Sequence, residues 1–301
     1  MRWKGRRVSS NVEDRRGGGA KAGGISIVGL IVAFVAWKFF GVDPQQAYQT
    51  TKQVTQGVSG AAETRGLENP TPEQQESIDF VGTVLADTED TWNQVFQQQL
   101  NQQYVPPKLV LFNGIVNSGC GTAQAAMGPF YCPTDQKVYI DTAFFKDMRS
   151  QMGITGEQNA TELSRNDQAG DFALAYVVAH EVGHHIQTIL GISSQVQQAR
   201  QQASEVQSNQ LSVRQELQAD CLAGVWAYHN HERTQFLEQG DVQEAMDAAH
   251  KIGDDYLQKR ARGQVVPDSF THGSSAQRVQ WFNTGLKSGQ VANCDTFNQN
   301  I

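Results

Sequence analysis

The pattern of apolar and polar positions changes character several times along this chain. Gly24 to Gly41 reads GISIVGLIVAFVAWKFFG, an unbroken apolar run with one charge, Lys38. A helix across a bilayer needs roughly 17–25 such residues, so the run predicts a transmembrane helix over 24–41. Lys38 can snorkel, and Trp37, Phe39 and Phe40 suit the interface. Bulky residues follow the run instead of a small-residue cleavage site, which argues for an uncleaved anchor over a signal peptide. Residues 42–72 hold Gln, Thr, Gly, Ser and Ala with few aliphatics, too little apolar surface to fold alone, and read as a flexible linker.

From Pro72 the period becomes helical. Ile78, Val81, Val84, Leu85, Trp92 and Phe96 share a stripe, predicting a helix to about Gln99 that opens a folded domain over 73–301. Short β-prone runs at 107–112, 128–132 and 137–141 predict strands, with Gly-rich turns around 118–122. Another helix begins at Thr142, and the polar residues 150–168 read as a surface loop. Helical periodicity returns around 172–189, at 214–228, at 241–260 and in the stretch carrying Arg278, Trp281 and Phe282. Between them, 191–212 is Gln- and Ser-rich with weak periodicity. The sum is an α+β fold, mainly helical, with a small β-sheet.

Charge sharpens the division. Residues 1–23 carry seven Lys or Arg against two acids, a net of +5, whereas from Gly41 onward 16 bases face 29 acids, a net of −13. A basic tail before an apolar run predicts a cytoplasmic N-terminus over 1–23 and a domain on the periplasmic or extracellular side. The acidic body argues against nucleic acid as a partner. On that side the four cysteines, Cys120, Cys132, Cys221 and Cys294, suggest disulfides. Three pairings are open. Cys120–Cys132 with Cys221–Cys294 is favoured, since the first closes a short loop across the predicted strands. Buried free thiols are the competing reading.

The chemistry centres on Ala179-His180-Glu181-Val-Gly-His184-His185. On a helix, His180 and His184 lie one above the other and aim two imidazoles at one point. Neutral imidazole is a zinc ligand, and Glu181 can act as a base on a zinc-activated water without being a ligand. His185 is rotated off that line and reads as a polar neighbour. A third ligand is needed. The extended pattern that would supply it nearby fails, because Gln187 and Leu190 stand where Gly and His are required. Glu216 is the best candidate, on a helix whose Ala219, Ala223 and Ala227 would allow close approach. Asp220, one turn on, could accept the second N–H of a zinc-bound histidine.

His180-Glu181-x-x-His184 with Glu216-x-x-x-Asp220 resembles the gluzincin pattern of zinc metallopeptidases. More closely, residues 75–301 are similar to a bacterial family of neutral zinc metallopeptidases, single-span membrane proteins that share the runs at 179–185 and 216–221. The resemblance implies a zincin-like fold, a Zn2+ cofactor and peptide or protein substrates. It also implies that His272, in Phe270-Thr-His272-Gly-Ser-Ser275, donates to the substrate oxyanion, with Arg278 a weaker candidate. A helix N-cap at Ser274 or Ser275 is the other reading of that segment. The expected function is a membrane-anchored peptidase. The alternative is a membrane-tethered binding or scaffold protein with a structural or relic zinc, which would usually show four protein ligands. The sequence leaves substrate identity and oligomeric state open.

Overall fold

A computed structural model of the chain describes residues 1–17, 66–67, 69–124, 128–144, 148 and 170–301. The predicted anchor at 24–41 and the surface loop at 150–168 lie outside the described residues. Among those described, no helix is long and apolar enough to cross a membrane. The body is mainly helical with two small sheets.

Helix α1, Pro72–Val95, starts where the sequence places it. Thr71 and Gln74 form a reciprocal capping box and Pro72 occupies the first turn, where a missing N–H costs nothing. Its second half is almost wholly buried, and it runs out through a π turn at Phe96–Leu100. The larger sheet holds four strands in the order β1 (Val12–Asp14), β2 (Lys108–Phe112), β6 (Lys137–Asp141) and β5 (Phe130–Cys132). β1 and β6 run parallel to β2, and β5 is antiparallel to β6. A separate hairpin, β3 (Ile115–Ser118) with β4 (Gly121–Gln124), stands where the sequence suggested only turns.

Helix α2, Asp171–Ile189, carries the His180 motif and is buried on nearly every face. Helix α3, Ile192–Gln201, and the 30-residue α4, Glu205–Thr234, follow. Both extend into the Gln-rich stretch that lacked periodicity; a Ser204–Gln207 capping box starts α4. The single helix expected over 241–260 is two, α5 (Asp241–Lys251) and α6 (Asp254–Arg262). The break falls at Gly253, where a Cβ would collide with the backbone of Ser275, so only glycine fits. Helix α7, Ser275–Ser288, is capped by Ser274 and Gln277, as one reading of that segment expected.

Two contacts bring the motif-bearing helices together. A Cβ on Gly183 would sit 3.0 Å from the Ala219 carbonyl, so α2 and α4 cross at their small residues. Gly285 of α7 rests directly on the Cys221 carbonyl of α4, with no room for a side chain. Gly285→Ala should therefore cost about 1–3 kcal/mol or more by overpacking, read as a lowered Tm in a thermal melt. Both favoured disulfides are present, Cys120–Cys132 and Cys221–Cys294. The second fastens the C-terminal turn to α4 at the residue after Asp220.

The N-terminal residues differ most from expectation. The sequence sets 1–23 apart as a basic tail, yet residues 1–16 pack onto the body. Met1 and Trp3 join the main core, and Val12–Asp14 pairs with Leu109–Leu111. Hydrogen bonding to an open strand edge has outweighed a composition that, in isolation, favours solvent.

Candidate metal centre

Helix α2 delivers His180 and His184, and α4 delivers Glu216 across the Gly183–Ala219 crossing. His180 Nε2 lies 3.2 Å from Glu216 Oε2, and His184 Nε2 lies 3.4 Å from Glu216 Oε1. Each residue offers one ligand atom to a group lying within 4.8 Å. Ligands held 2.0–2.1 Å from a tetrahedral zinc stand roughly 3.4 Å from one another. The two imidazole–carboxylate spacings already present match that figure.

The outer nitrogens decide which atoms face inward. His180 Nδ1 lies 2.8 Å from Asp220 Oδ1. A carboxylate can only accept, so Nδ1 carries a hydrogen, and Nε2 is the nitrogen left to face an ion beside Glu216. His184 Nδ1 is 2.8 Å from Gln187 Oε1, with the same consequence. Gln187 is itself pinned, its amide donating to the Gln215 carbonyl and to Gln218 Oε1. This residue, which the sequence marks only as the wrong one for an extended motif, aims the second imidazole. Gln187→Ala should weaken zinc binding ~10–100-fold without unfolding the chain, as measured by competition with a chromogenic chelator.

Asp220 is fully buried and shared. It accepts from Tyr176 Oη, from Arg278 Nε at 2.9 Å and from Arg278 Nη2 at 2.9 Å, besides His180. Burial pushes its carboxyl up, but Arg278 and His180 outweigh this and hold it below the usual range. The structure thus gives Arg278, weighed from sequence as a possible oxyanion donor, a bidentate grip on Asp220, beneath the ligands. Tyr176, four residues before His180, was not singled out; its i−4 position on the same face is the signal that would have found it.

The remaining electrostatics follow from carboxylates meeting imidazoles out of water. Burial lowers His180, yet Asp220 and Glu216 together hold it up at about 10. Burial would raise Glu216, yet His184 and His180 keep it well below the usual carboxylate range. Glu181 is 8% exposed, and burial pushes its carboxyl up against the pull of both imidazoles.

His185 points away. Its Nε2 lies 2.7 Å from the Val105 carbonyl, so that nitrogen donates and Nδ1 accepts from Tyr131 Oη at 3.1 Å. It ties α2 to β5. His272 lies in the turn before α7, its side chain about half exposed. The Asp254 carboxylate gathers the backbone N–H groups of Thr271, His272 and Gly273 at 2.6–3.0 Å and lies 3.3 Å from His272 Nδ1. Gly273, at φ +95°, packs against Leu217, the neighbour of Glu216. The turn is thereby fixed beside the ligand helix.

Comparison with known proteins adds to this geometry. The family described as "Putative neutral zinc metallopeptidase" matches residues 1–297. The Escherichia coli K12 protein named "Uncharacterized protein YpfJ" is 46% identical over 312 residues, covering all of both chains. The Mycobacterium tuberculosis H37Rv protein named "Uncharacterized protein Rv2575" is 43% identical over 203 residues, 64% of this chain and 63% of that one. No solved structure matches.

Proposed function

Because the chain belongs to the family of putative neutral zinc metallopeptidases, we propose that it is a zinc-dependent peptidase with His180, His184 and Glu216 as ligands and Glu181 as general base. The observation that carries this reading is the convergence of both Nε2 atoms on the Glu216 carboxylate at 3.2 and 3.4 Å. Three protein ligands leave a vertex open, the arrangement of catalytic zinc sites; structural ones are closed by four. Bound there, zinc would supply Lewis acidity, lowering the pKa of a water towards ~7 and polarising the scissile carbonyl.

The chain's own residues do the rest. Glu181 follows His180 in sequence and feels the charges of His180, His184 and Glu216. Its burial raises its proton affinity, which suits a group that takes a proton from water and returns it to the leaving amine. Asp220, Gln187 and Arg278 keep the imidazoles in one tautomer and orientation. His272, held by Asp254, would donate to the developing oxyanion. The substrate would lie along β5. That strand ends the four-stranded sheet, its outer edge is unpaired among the described residues, and Tyr131 links it to the residue after His184. An extended peptide can add to such an edge by backbone hydrogen bonds.

A broad peptide library incubated with zinc-loaded protein should show cleavage. A chelator should abolish it and added zinc restore it. A zinc-loaded protein that cut nothing in the library would favour a binding role for the site.

A further inference from the structure

Residues 1–16 show a density of specific contacts that a separate tail would not make. Ser9 N–H donates to the Gly82 carbonyl at 2.9 Å. A Cβ on Gly82 would strike Val8, so α1 carries a glycine where this segment crosses it. Trp3 packs edge-on to Phe80 at 5.3 Å. β1 is hydrogen-bonded in register along β2, Val12 to Leu109 and Asp14 to Leu111.

The charges interlock as well. Glu89 is only 6% exposed, and it receives Ser9 Oγ at 2.6 Å, Asn11 Nδ2 at 2.7 Å and Arg7 Nη1 at 2.9 Å. Asp87, also buried, receives Arg6 at 2.6 Å. Among the described residues, the side chains that hydrogen-bond Glu89 all come from the N-terminal segment. Undocking it would strip the buried Glu89 carboxylate of these donors and leave Asp87 with Arg233 and Asn230 alone, an unfavourable exchange. The basic residues read from sequence as a cytoplasmic signal are occupied here. Lys4 pairs with Glu76, Arg6 with Asp87, Arg7 with Glu89 and Asp90, Arg15 with Glu13, and Arg16 with Asp14. Five of the six bases in residues 1–16 thus have ion-pair partners in the folded chain.

We infer that residues 1–16 are a structural strand of the metal-binding body and lie with it on one side of any membrane the chain meets. Strands bonded at Val12–Asp14 and Leu109–Leu111 cannot have a bilayer between them. Whatever path joins residue 17 to residue 66, its two ends share a compartment. The two disulfides suggest an oxidising one. This inference stands apart from the peptidase reading, since none of these contacts involves the ligands.

The test is labelling of the full chain. All four native cysteines are bonded in pairs, so Ser10→Cys and, separately, Gln103→Cys each provide a single free thiol at an exposed position. A membrane-impermeant maleimide applied to intact spheroplasts, and again after permeabilisation, should label the two variants to the same extent in each condition. A thiol at 10 that reacts only after permeabilisation, beside one at 103 that reacts before, would overturn the inference. Docking itself is read by zero-length carbodiimide coupling in the purified chain. Lys137 Nζ and the Glu13 carboxyl, 3.0 Å apart, should yield a cross-linked peptide pair in mass spectrometry. Equal labelling with no such pair would also refute it, because the strand would then be in the right compartment and not in the sheet.

Discussion

Glu181→Gln should bind one zinc per chain as the unaltered protein does and hydrolyse peptides about 10²–10⁴-fold more slowly. The side chain is nearly isosteric, and it is not among the convergent ligand atoms. Metal content and Tm should therefore hold while kcat falls. The amide cannot accept the proton of water, so the loss belongs to the chemical step and not to substrate binding. The measurements are zinc by elemental analysis and kcat and KM on a cleaved library peptide. Unchanged kcat would remove Glu181 from the mechanism. Loss of zinc together with activity would instead make it a ligand.

Glu216→Ala should lose stoichiometric zinc altogether. Removing a partner behind a ligand costs ~10–100-fold in affinity, and removing a ligand should cost more. His184, and to a lesser degree His180, would also lose a carboxylate that raises its proton affinity. The expected result is a folded chain whose zinc is stripped by dialysis against weak chelator, with no cleavage. Glu216→Asp separates charge from reach: it keeps the carboxylate but withdraws it by one methylene, and should bind zinc more weakly than wild type and more tightly than the alanine variant. Full zinc occupancy in Glu216→Ala would point to another third ligand.

How far the sequence carries depends on how local the physics is. His180, Glu181 and His184 are legible because helical spacing alone brings them together. Glu216 is legible because chemistry demands a third donor and one acidic helix with small neighbours offers it. Gln187 is not, because its role depends on α4 lying against α2; in sequence it only breaks a different motif. The start of α4 and the whole of α3 are polar on most faces, so periodicity is silent there and caps and packing decide. Gly253 hides a helix break because nothing local shows that Ser275 will press against it. β1 is the deepest case. Val12-Glu13-Asp14 has no alternation to read, and six bases around it dominate any windowed view. Its pairing strand, Leu109–Leu111, is remote in sequence, and Gly82, Asp87 and Glu89, which hold the residues just before it, look in sequence like ordinary helix surface.

That strand changes what counts as the folded unit. Trimming an anchored enzyme just past its apolar run is a common way to obtain a soluble fragment. Here a cut after residue 41 would discard the outermost strand of the sheet. The remainder would present a raw β2 margin and, on α1, a Glu89 carboxylate without its donors, an invitation to clump. A workable fragment keeps the first sixteen residues, rejoined to Gly66 by a shorter bridge.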